Sequence, residues 1–183
     1  MIATIQKFLN IGTKPAKPAR KIEFCVFHCT ASPQNLTWQK LQFYFLKIMG
    51  WSREGYHVFV DDNGEVHRFI DNEEISNGVR EFEAEDIKIG NYNSVNICWE
   101  GGVDGKMNAI DNRTAIQKMK LQEIAKWYLE KYPNIIFVAH HQVANKVCPC
   151  FDTVRFLRSF GVPDRNIYKG DNFNIRKHVI SKL

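Results

Sequence analysis

Three short and almost uninterrupted apolar runs constrain the fold of this 183-residue chain more than any other feature. They are IEFCVFHC at 22–29, SVNICWEG at 94–101 and NIIFVA at 134–139. Each is rich in β-branched or aromatic residues, and this composition predicts a buried strand. None approaches the roughly 18 consecutive apolar residues of a membrane helix, so we expect no membrane span.

Helix signals lie between these runs. Residues 37–49 (TWQKLQFYFLKIM) predict a helix that ends at Gly50, a residue common just beyond a helix C-terminus. Thr114 followed by Gln117 three residues later matches a capping box, which begins a helix that extends to about Lys131. The order of strands and helices therefore alternates along the chain.

The remaining segments complete the predicted order of elements. Residues 55–70 alternate in polarity around the turn residues 62–64, which predicts a β-hairpin. Residues 71–93 are acidic and poorly periodic, and we predict a loop over the surface. Asp152 can cap a last helix over 153–160. The sequence therefore predicts an α/β fold, with a central mixed β-sheet covered by helices in a single domain.

Positive charge is concentrated at the two ends. Residues 1–21 hold five Lys or Arg and no acid, and residues 164–183 hold five Lys or Arg and two Asp, in a chain with net charge +5. We predict a basic N-terminal extension or linker at 1–21, a folded domain at 22–161 and a basic C-terminal tail at 162–183. Such ends can bind anionic polymers or simply aid solubility. Nucleic-acid binding is not expected, because the body has no recognition motif.

The N-terminal sequence and the cysteines indicate the compartment. Lys7 interrupts the first apolar residues and the remaining positive charge follows them, which is the reverse of a secretory signal. We therefore expect no signal peptide and synthesis in the cytoplasm. An odd count of five cysteines without regular spacing fits reduced thiols, which leaves core filler, metal ligand or nucleophile as their roles.

Histidine and cysteine side chains cluster where two predicted strands end. They are His28, Cys29, His140, His141, Cys148 and Cys150. Zinc binds a few His nitrogens and Cys thiolates, and a catalytic zinc keeps one position open for water. Strand neighbours point to opposite faces, so one member of each adjacent pair can face a common site, and spacing does not choose which. Structural histidines, small apolar cysteines and a Cys-Pro-Cys redox pair remain alternatives.

Four motifs then occur in a characteristic order: FHCTAS (27–32), GYHVFV (55–60), YNSVNICWEGG (92–102) and AHHQVANKVCPCFD (139–152). On these motifs, the chain resembles the zinc-dependent N-acetylmuramoyl-L-alanine amidases of the type-2 amidase and peptidoglycan-recognition-protein superfamily. It is most similar to the small phage lysozymes that are amidases. The resemblance implies an active-site groove at the strand ends. It also implies hydrolysis of the amide between N-acetylmuramic acid and L-alanine in peptidoglycan.

The same resemblance implies roles for five residues. His28, His140 and Cys148 correspond to the zinc ligands. Tyr56 and Lys146 correspond to active-site residues. The charge of Lys146 suits stabilising the oxyanion of the tetrahedral intermediate. Tyr56 is expected either to orient the attacking water or to donate a hydrogen bond to that intermediate.

Other positions carry secondary expectations. Glu100 shares a strand face with Cys98 and is a candidate auxiliary base, and His141 is expected to support a neighbouring ligand. His57 is expected to have a structural or supporting role. Cys150 stands where the family pattern predicts a small hydroxyl residue, and we interpret it as filler rather than as a competing ligand.

Two classes of function remain in competition. Members of this superfamily that lack a zinc ligand bind peptidoglycan without cutting it, so a non-catalytic binding or regulatory protein is the alternative. The complete set of ligand and active-site residues favours an amidase that cuts cell walls, such as a phage endolysin. The expected cofactor is Zn2+, the expected partner is peptidoglycan and the expected state is a monomer. Such an enzyme would act on the bacterial wall after release or non-classical export.

Overall fold

The three apolar runs form neighbouring strands of one sheet in the computed structural model, which describes residues 20–170. The strands are β1 (Phe24–Cys29), β2 (Val58–Val60), β3 (Val66–Arg68), β4 (Phe82–Ala84), β5 (Ile87–Ile89), β6 (Ser94–Trp99) and β7 (Ile136–Ala139). The α-helices are α1 (Trp38–Phe43), α2 (Ala115–Lys131) and α3 (Thr153–Arg158). A π-helical turn, Tyr44–Ile48, extends α1, and 3-10 turns cover His140–Gln142 and Asp164–Asn166.

The main sheet has the strand order β3-β2-β6-β1-β7. Strand β1 pairs in parallel with β6 and β7, β2 pairs in parallel with β6, and β3 is antiparallel to β2. The predicted mixed sheet is therefore confirmed. Because four parallel strands end at the same edge, the residues that follow β1, β6 and β7 are brought together there. In register, His28 lies opposite Cys98, and Phe27 lies opposite Ala139.

Alternation along β1 separates two layers. Cys25, Phe27 and Cys29 pack into the larger core, which also contains residues of α2 and α3 such as Leu121 and Leu157. Phe24 and Val26 join a separate apolar cluster. The larger core supplies most of the burial, since fully burying one Leu or Phe side chain contributes about 1.5–3 kcal/mol.

Helix α1 and its π-helical extension cover another part of the sheet. Leu41 and Phe45 form a cluster with Phe59 of β2 and Cys98 of β6. Thr37 caps the start of the helix, because its hydroxyl accepts the N–H of Lys40 at 3.3 Å. Helices therefore cover the sheet, as predicted. The sequence did not anticipate the change from α-helical to π-helical hydrogen bonding after Phe43.

The capping box of α2 is confirmed. The Thr114 hydroxyl accepts the N–H of Gln117 at 3.2 Å, and the Gln117 side-chain oxygen accepts the N–H of Thr114 at 3.0 Å. Two unpaired N–H groups of the first turn are thus satisfied by side chains. The described helices include none long and apolar enough to cross a membrane.

The prediction of a loop over residues 71–93 was wrong in part. This segment contains the antiparallel pair β4–β5, and Val79, Ile87 and Ile89 are buried. Each strand is only three residues long, too short for alternation to stand out against the surrounding acidic residues. The segment packs its apolar side chains under the sheet, beside Phe24 and Val138.

The described chain also includes parts of both predicted extensions. Arg20 donates to the backbone carbonyls of Asn72 at 2.7 Å and Ser94 at 2.9 Å. At the other end, Ile167 is buried and forms a bridge with Phe137 of β7. Residues 1–19 and 171–183 lie outside the described part of the chain, and the division at 21 and 161 stays a prediction.

Candidate metal centre

Three side chains with ligating atoms meet at the carboxyl edge of the parallel strands. His28 is near the end of β1, His140 begins the turn after β7, and Cys148 lies in the loop that follows. Nδ1 of His28 lies 3.1 Å from Nδ1 of His140 and 3.8 Å from Sγ of Cys148. All three ligating atoms lie within 4.8 Å of one another. We call these three residues the His–His–Cys cluster.

The backbone explains which member of each adjacent pair enters the cluster. On β1, Cys29 shares the core face with Phe27, so His28 points to the other face. After β7, the strand ends at Ala139 and a 3-10 turn begins, so the two histidines are not strand neighbours. The turn places His140 in the cluster and directs His141 towards the Cys148 loop.

Hydrogen bonds hold Cys148 against the strand ends. Its sulfur accepts the backbone N–H of Cys29 at 3.2 Å. Its carbonyl accepts the backbone N–H of His141 at 2.7 Å, and Nδ1 of His141 lies 3.2 Å from the same oxygen. His141 therefore contacts the backbone of the loop that carries the third ligating atom.

Burial sets the charge of the cluster. It lowers the pKa of His28 to about 3 and that of His140 to about 2, and the nearby positive charge of Lys146 adds to both shifts. Both imidazoles are therefore neutral at physiological pH, the form in which a ring nitrogen can bind a metal. Burial also raises the pKa of the Cys148 thiol. A bound cation would oppose that effect, because it favours the thiolate.

Sequence reasoning missed the residues behind His28. Nε2 of His28 lies 2.8 Å from Oδ1 of Asn96 on β6, and Nδ2 of Asn96 donates to the hydroxyl of Ser76 at 2.8 Å. Asn96 and Ser76 are fully buried. The available signal was a polar Asn in the middle of the apolar run SVNICW. Nothing in the unpatterned segment around Ser76 marked that residue.

The side chain of His57 holds the backbone of β6 at Asn96. Its Nδ1 accepts the N–H of Asn96 at 3.0 Å, and its Nε2 lies 3.0 Å from the carbonyl oxygen of Glu74. Burial lowers its pKa to about 3, and the charge of Arg20 contributes. A neutral ring that accepts at Nδ1 carries its proton on Nε2, which donates to Glu74.

Tyr56 and Lys146 lie beside the cluster. The Tyr56 ring centroid is 5.1 Å from that of His28, and the ring also packs edge-on against Phe45. Burial raises the pKa of Tyr56 well above its usual value, so its hydroxyl remains a hydrogen-bond donor. Lys146 is exposed on the loop two residues before Cys148.

Among the described residues, two further candidates stand outside the cluster. The carboxylate of Glu100 accepts the backbone N–H of Leu36 with one oxygen and that of Asp62, at 2.9 Å, with the other. It thus joins the segment before α1 to the β2–β3 turn. Cys150 is buried with its sulfur 3.5 Å from that of Cys29.

Comparisons with known proteins identify the family of this chain. Residues 18–151 match the family model described as N-acetylmuramoyl-L-alanine amidase. The endolysin of Enterobacteria phage T3 is 30% identical over 142 residues, which cover 76% of this chain and 88% of that protein. The endolysin of Escherichia phage T7 is 30% identical over 131 residues, covering 70% of this chain and 81% of that protein.

Solved structures share the fold. The Ph2119 endolysin from Thermus scotoductus MAT2119 bacteriophage Ph2119 superposes with a TM-score of 0.63 at 22% identity, covering 86% of this chain and 96% of that one. Human PGRP-IBETAC, in complex with glycosamyl muramyl pentapeptide, gives 0.60 at 13% identity, covering 85% and 93%. The family match covers more than half of the chain, and the fold agrees with it. The chain belongs to the N-acetylmuramoyl-L-alanine amidase family.

Proposed function

We propose that this protein is a zinc-dependent amidase of the endolysin type. It would hydrolyse the amide bond between N-acetylmuramic acid and L-alanine in peptidoglycan. The observation that carries the proposal is the convergence of His28, His140 and Cys148 at one edge of the sheet. The family match and the endolysin relatives support the same activity.

The residues present fit a catalytic zinc ion. Two imidazole nitrogens and one thiol sulfur are ligand types that zinc prefers, and three protein ligands leave one of four tetrahedral positions for water. The imidazoles of His28 and His140 are neutral, as ligation requires. The second nitrogen of His28 is held by Asn96, an arrangement typical of metal-binding histidines. When bound, zinc lowers the pKa of a water towards about 7 and polarises the scissile carbonyl.

The chain's own residues would supply the remaining steps. Tyr56 keeps its proton and lies against His28, so its hydroxyl can orient the attacking water or donate to the carbonyl oxygen of the substrate. Lys146 places a positive charge beside the cluster from an exposed loop, where it can approach the oxygen that becomes negative. A positive charge at that oxygen would stabilise the transition state more than the ground state.

We infer supporting roles for the other candidates. Glu100 uses both carboxylate oxygens on backbone N–H groups, which favours a structural role over that of an auxiliary base. His141 contacts the carbonyl of Cys148 and would steady that ligand. The thiol of Cys150 faces Cys29 in the core rather than the cluster, which favours the filler interpretation.

The alternative is a protein of this fold that binds peptidoglycan without cutting it. The complete His–His–Cys cluster, with Tyr56 beside it, favours catalysis. We propose peptidoglycan as the partner, the bacterial cell wall as the place of action and a monomer as the active state. The basic ends, proposed to contact an anionic polymer, lie mostly outside the described residues.

Purified peptidoglycan provides the test. Digestion should release new amino groups that belong to L-alanine and should produce no new reducing sugar ends. Metal analysis should give one zinc per chain, and chelation should abolish activity until zinc is restored. Reducing ends without new amino groups would exclude an amidase. Full activity in protein proven free of metal would exclude zinc dependence.

A further inference from the structure

A row of buried polar side chains lies behind the proposed ligand His28. Oδ1 of Asn96 is 2.8 Å from Nε2 of His28, and Nδ2 of Asn96 is 2.8 Å from the hydroxyl of Ser76. Asn96 and Ser76 are fully buried, and His28 is 1% exposed. Each hydrogen bond in the row is thus shielded from competing water. In the protein interior, a polar group without a hydrogen-bond partner costs free energy.

The row determines which nitrogen of His28 can bind a metal. Nδ1 is the atom that faces His140 and Cys148, so it must keep its lone pair for the ion. A neutral imidazole carries one proton, which must then be on Nε2. The carbonyl oxygen of Asn96 accepts that proton's hydrogen bond. An acceptor at this position therefore selects the tautomer that leaves Nδ1 free.

The amide of Asn96 must itself be held in one orientation. Rotated by half a turn, it would present N–H to Nε2 and favour the opposite tautomer. In the observed orientation, Nδ2 donates to the Ser76 hydroxyl. The backbone is fixed as well, because His57 accepts the N–H of Asn96 at 3.0 Å and donates its own N–H to the carbonyl of Asn96 at 2.8 Å.

The space for this amide depends on Gly78. A Cβ atom on Gly78 would lie 2.5 Å from Cγ of Asn96 and 2.5 Å from the carbonyl oxygen of Gly55. Contacts this short do not occur between real Cβ atoms and their neighbours, and backbone on one side cannot yield easily. The segment 76–78 thus supplies both the hydroxyl that orients Asn96 and the gap that admits it.

We propose that Asn96, oriented by Ser76, is a positioning residue that fixes His28 as the Nε2-protonated tautomer and so prepares Nδ1 to bind the metal. The predicted effect of Asn96 on zinc affinity rests on the proposed zinc site. The tautomer of His28 is a property of the metal-free protein. Outer contacts of this kind are worth about 10-fold to 100-fold in metal affinity.

The first measurement uses metal-free protein. Long-range 1H–15N NMR of the histidine side chains reports which ring nitrogen carries the proton. We expect Nε2-protonated His28 in the wild type and a mixture of tautomers in Asn96→Ala. The variant Asn96→Asp keeps an acceptor at the same place and should retain the wild-type tautomer. A wild-type His28 protonated on Nδ1, or an unchanged tautomer in folded Asn96→Ala, would overturn the proposal.

The second measurement is zinc affinity, by competition with a chromophoric chelator. Asn96→Ala should bind zinc about 10-fold to 100-fold more weakly, and Asn96→Asp should stay within a few-fold of the wild type. Ser76→Ala is a second variant in case Asn96→Ala does not fold. It should also bind zinc more weakly than the wild type, with a smaller loss of affinity than Asn96→Ala. Its matched control is Ser94→Ala, which removes another buried serine hydrogen bond, to the carbonyl of Gly90, away from His28.

The positioning role of Asn96 and the proposed function can fail separately. If the wild type binds no zinc, the proposed function fails, while the tautomer measurement still decides the role of Asn96. If zinc binds and Asn96→Ala retains wild-type affinity, the positioning role fails and the proposed function stands. Equal losses in Ser76→Ala and Ser94→Ala would assign the effect to general destabilisation and overturn the role of Ser76.

Discussion

Within residues 20–170, two regions bring three potential metal ligands within 4.8 Å, and they differ in how those side chains are held. One is the His–His–Cys cluster. The other is formed by Asp61, Glu65 and His67 on the β2–β3 hairpin, which we call the hairpin group. The cluster is buried or half-buried, whereas the Glu65 side chain is 70% exposed.

The hairpin group is already committed to other bonds. Oδ1 of Asp61 accepts the backbone N–H groups of Asn63 at 3.1 Å and Glu65 at 2.8 Å, which closes the turn. Oδ2 of Asp61 lies 3.1 Å from Nε2 of His67. In the cluster, by contrast, the nitrogen of His28 that faces away is the one that bonds to Asn96. Closeness of ligating atoms therefore means little until the partners of the remaining atoms are known.

Replacing a cluster ligand should have the largest effect. Cys148→Ser removes the thiol ligand, so zinc binding and amidase activity should both be lost. The loss should exceed the roughly 100-fold that outer contacts are worth. Metal analysis and release of L-alanine amino groups measure it. Cys150→Ser is the matched control, two residues along the same loop, and should keep one zinc and its activity. Undiminished activity with a normal zinc content in Cys148→Ser would show that Cys148 is not a zinc ligand.

The next largest effect is expected from removing a positive charge beside the cluster while keeping its three ligands. Lys146→Ala should retain zinc and slow turnover by roughly 10²–10³-fold, as the loss of one oxyanion-stabilising group does in other hydrolases. Asn145→Ala, an exposed neighbour on the same loop, is the control and should leave the rate unchanged. Loss of zinc from Lys146→Ala would show that the lysine supports the metal rather than the reaction.

Acid should destabilise the metal-free protein through its buried histidines. Burial lowers the pKa of His28 and His57 to about 3 and that of His140 to about 2. In the unfolded chain, the pKa of a histidine is about 6.5. Between these values the unfolded chain binds protons that the folded protein cannot. The free energy of unfolding should therefore be highest above about pH 6.5 and should fall as the pH drops from there towards 3.

Each buried histidine contributes about 1.4 kcal/mol per pH unit to this loss. The variant His57→Gln removes one of them outside the ligand set, so its slope should be shallower by about that amount. Denaturant unfolding of metal-free protein at about three or four pH values between about 4.5 and 6.5 measures this slope. An unchanged slope in the variant would mean that His57 is not held neutral by the fold.

The sequence predicted the strands of this site better than the connections between them. The runs that became β1, β6 and β7 are apolar on both faces, which identified buried strands. The same property hid which face holds the cluster, so His28 and Cys29 could not be distinguished by pattern. The paired histidines posed a different problem, because the strand ends at Ala139 and alternation no longer applies to them.

Contacts between distant segments were beyond sequence patterns. Asn96 and Ser76 are 20 positions apart, and the hydrogen bond between them depends on the gap at Gly78. The short strands β4 and β5 have three residues each, so their pairing could not be seen as alternation. The resemblance named His28, His140 and Cys148 as ligands. That assignment stays a prediction until a metal is measured, although the structure brings the three together.

The smallest expected effect on zinc binding and amidase activity comes from replacing residues of the hairpin group. Asp61→Ala removes the acceptor of two backbone N–H groups, so unfolding free energy should fall by about 1–3 kcal/mol. Glu65→Ala, at a largely exposed side chain, should change it by less than about 0.5 kcal/mol. Both variants should keep one zinc per chain and wild-type amidase activity. A second zinc or manganese ion in the wild type, lost equally from both variants, would show that the hairpin group binds metal too. The unequal stability effects expected here follow only if Asp61 serves the turn.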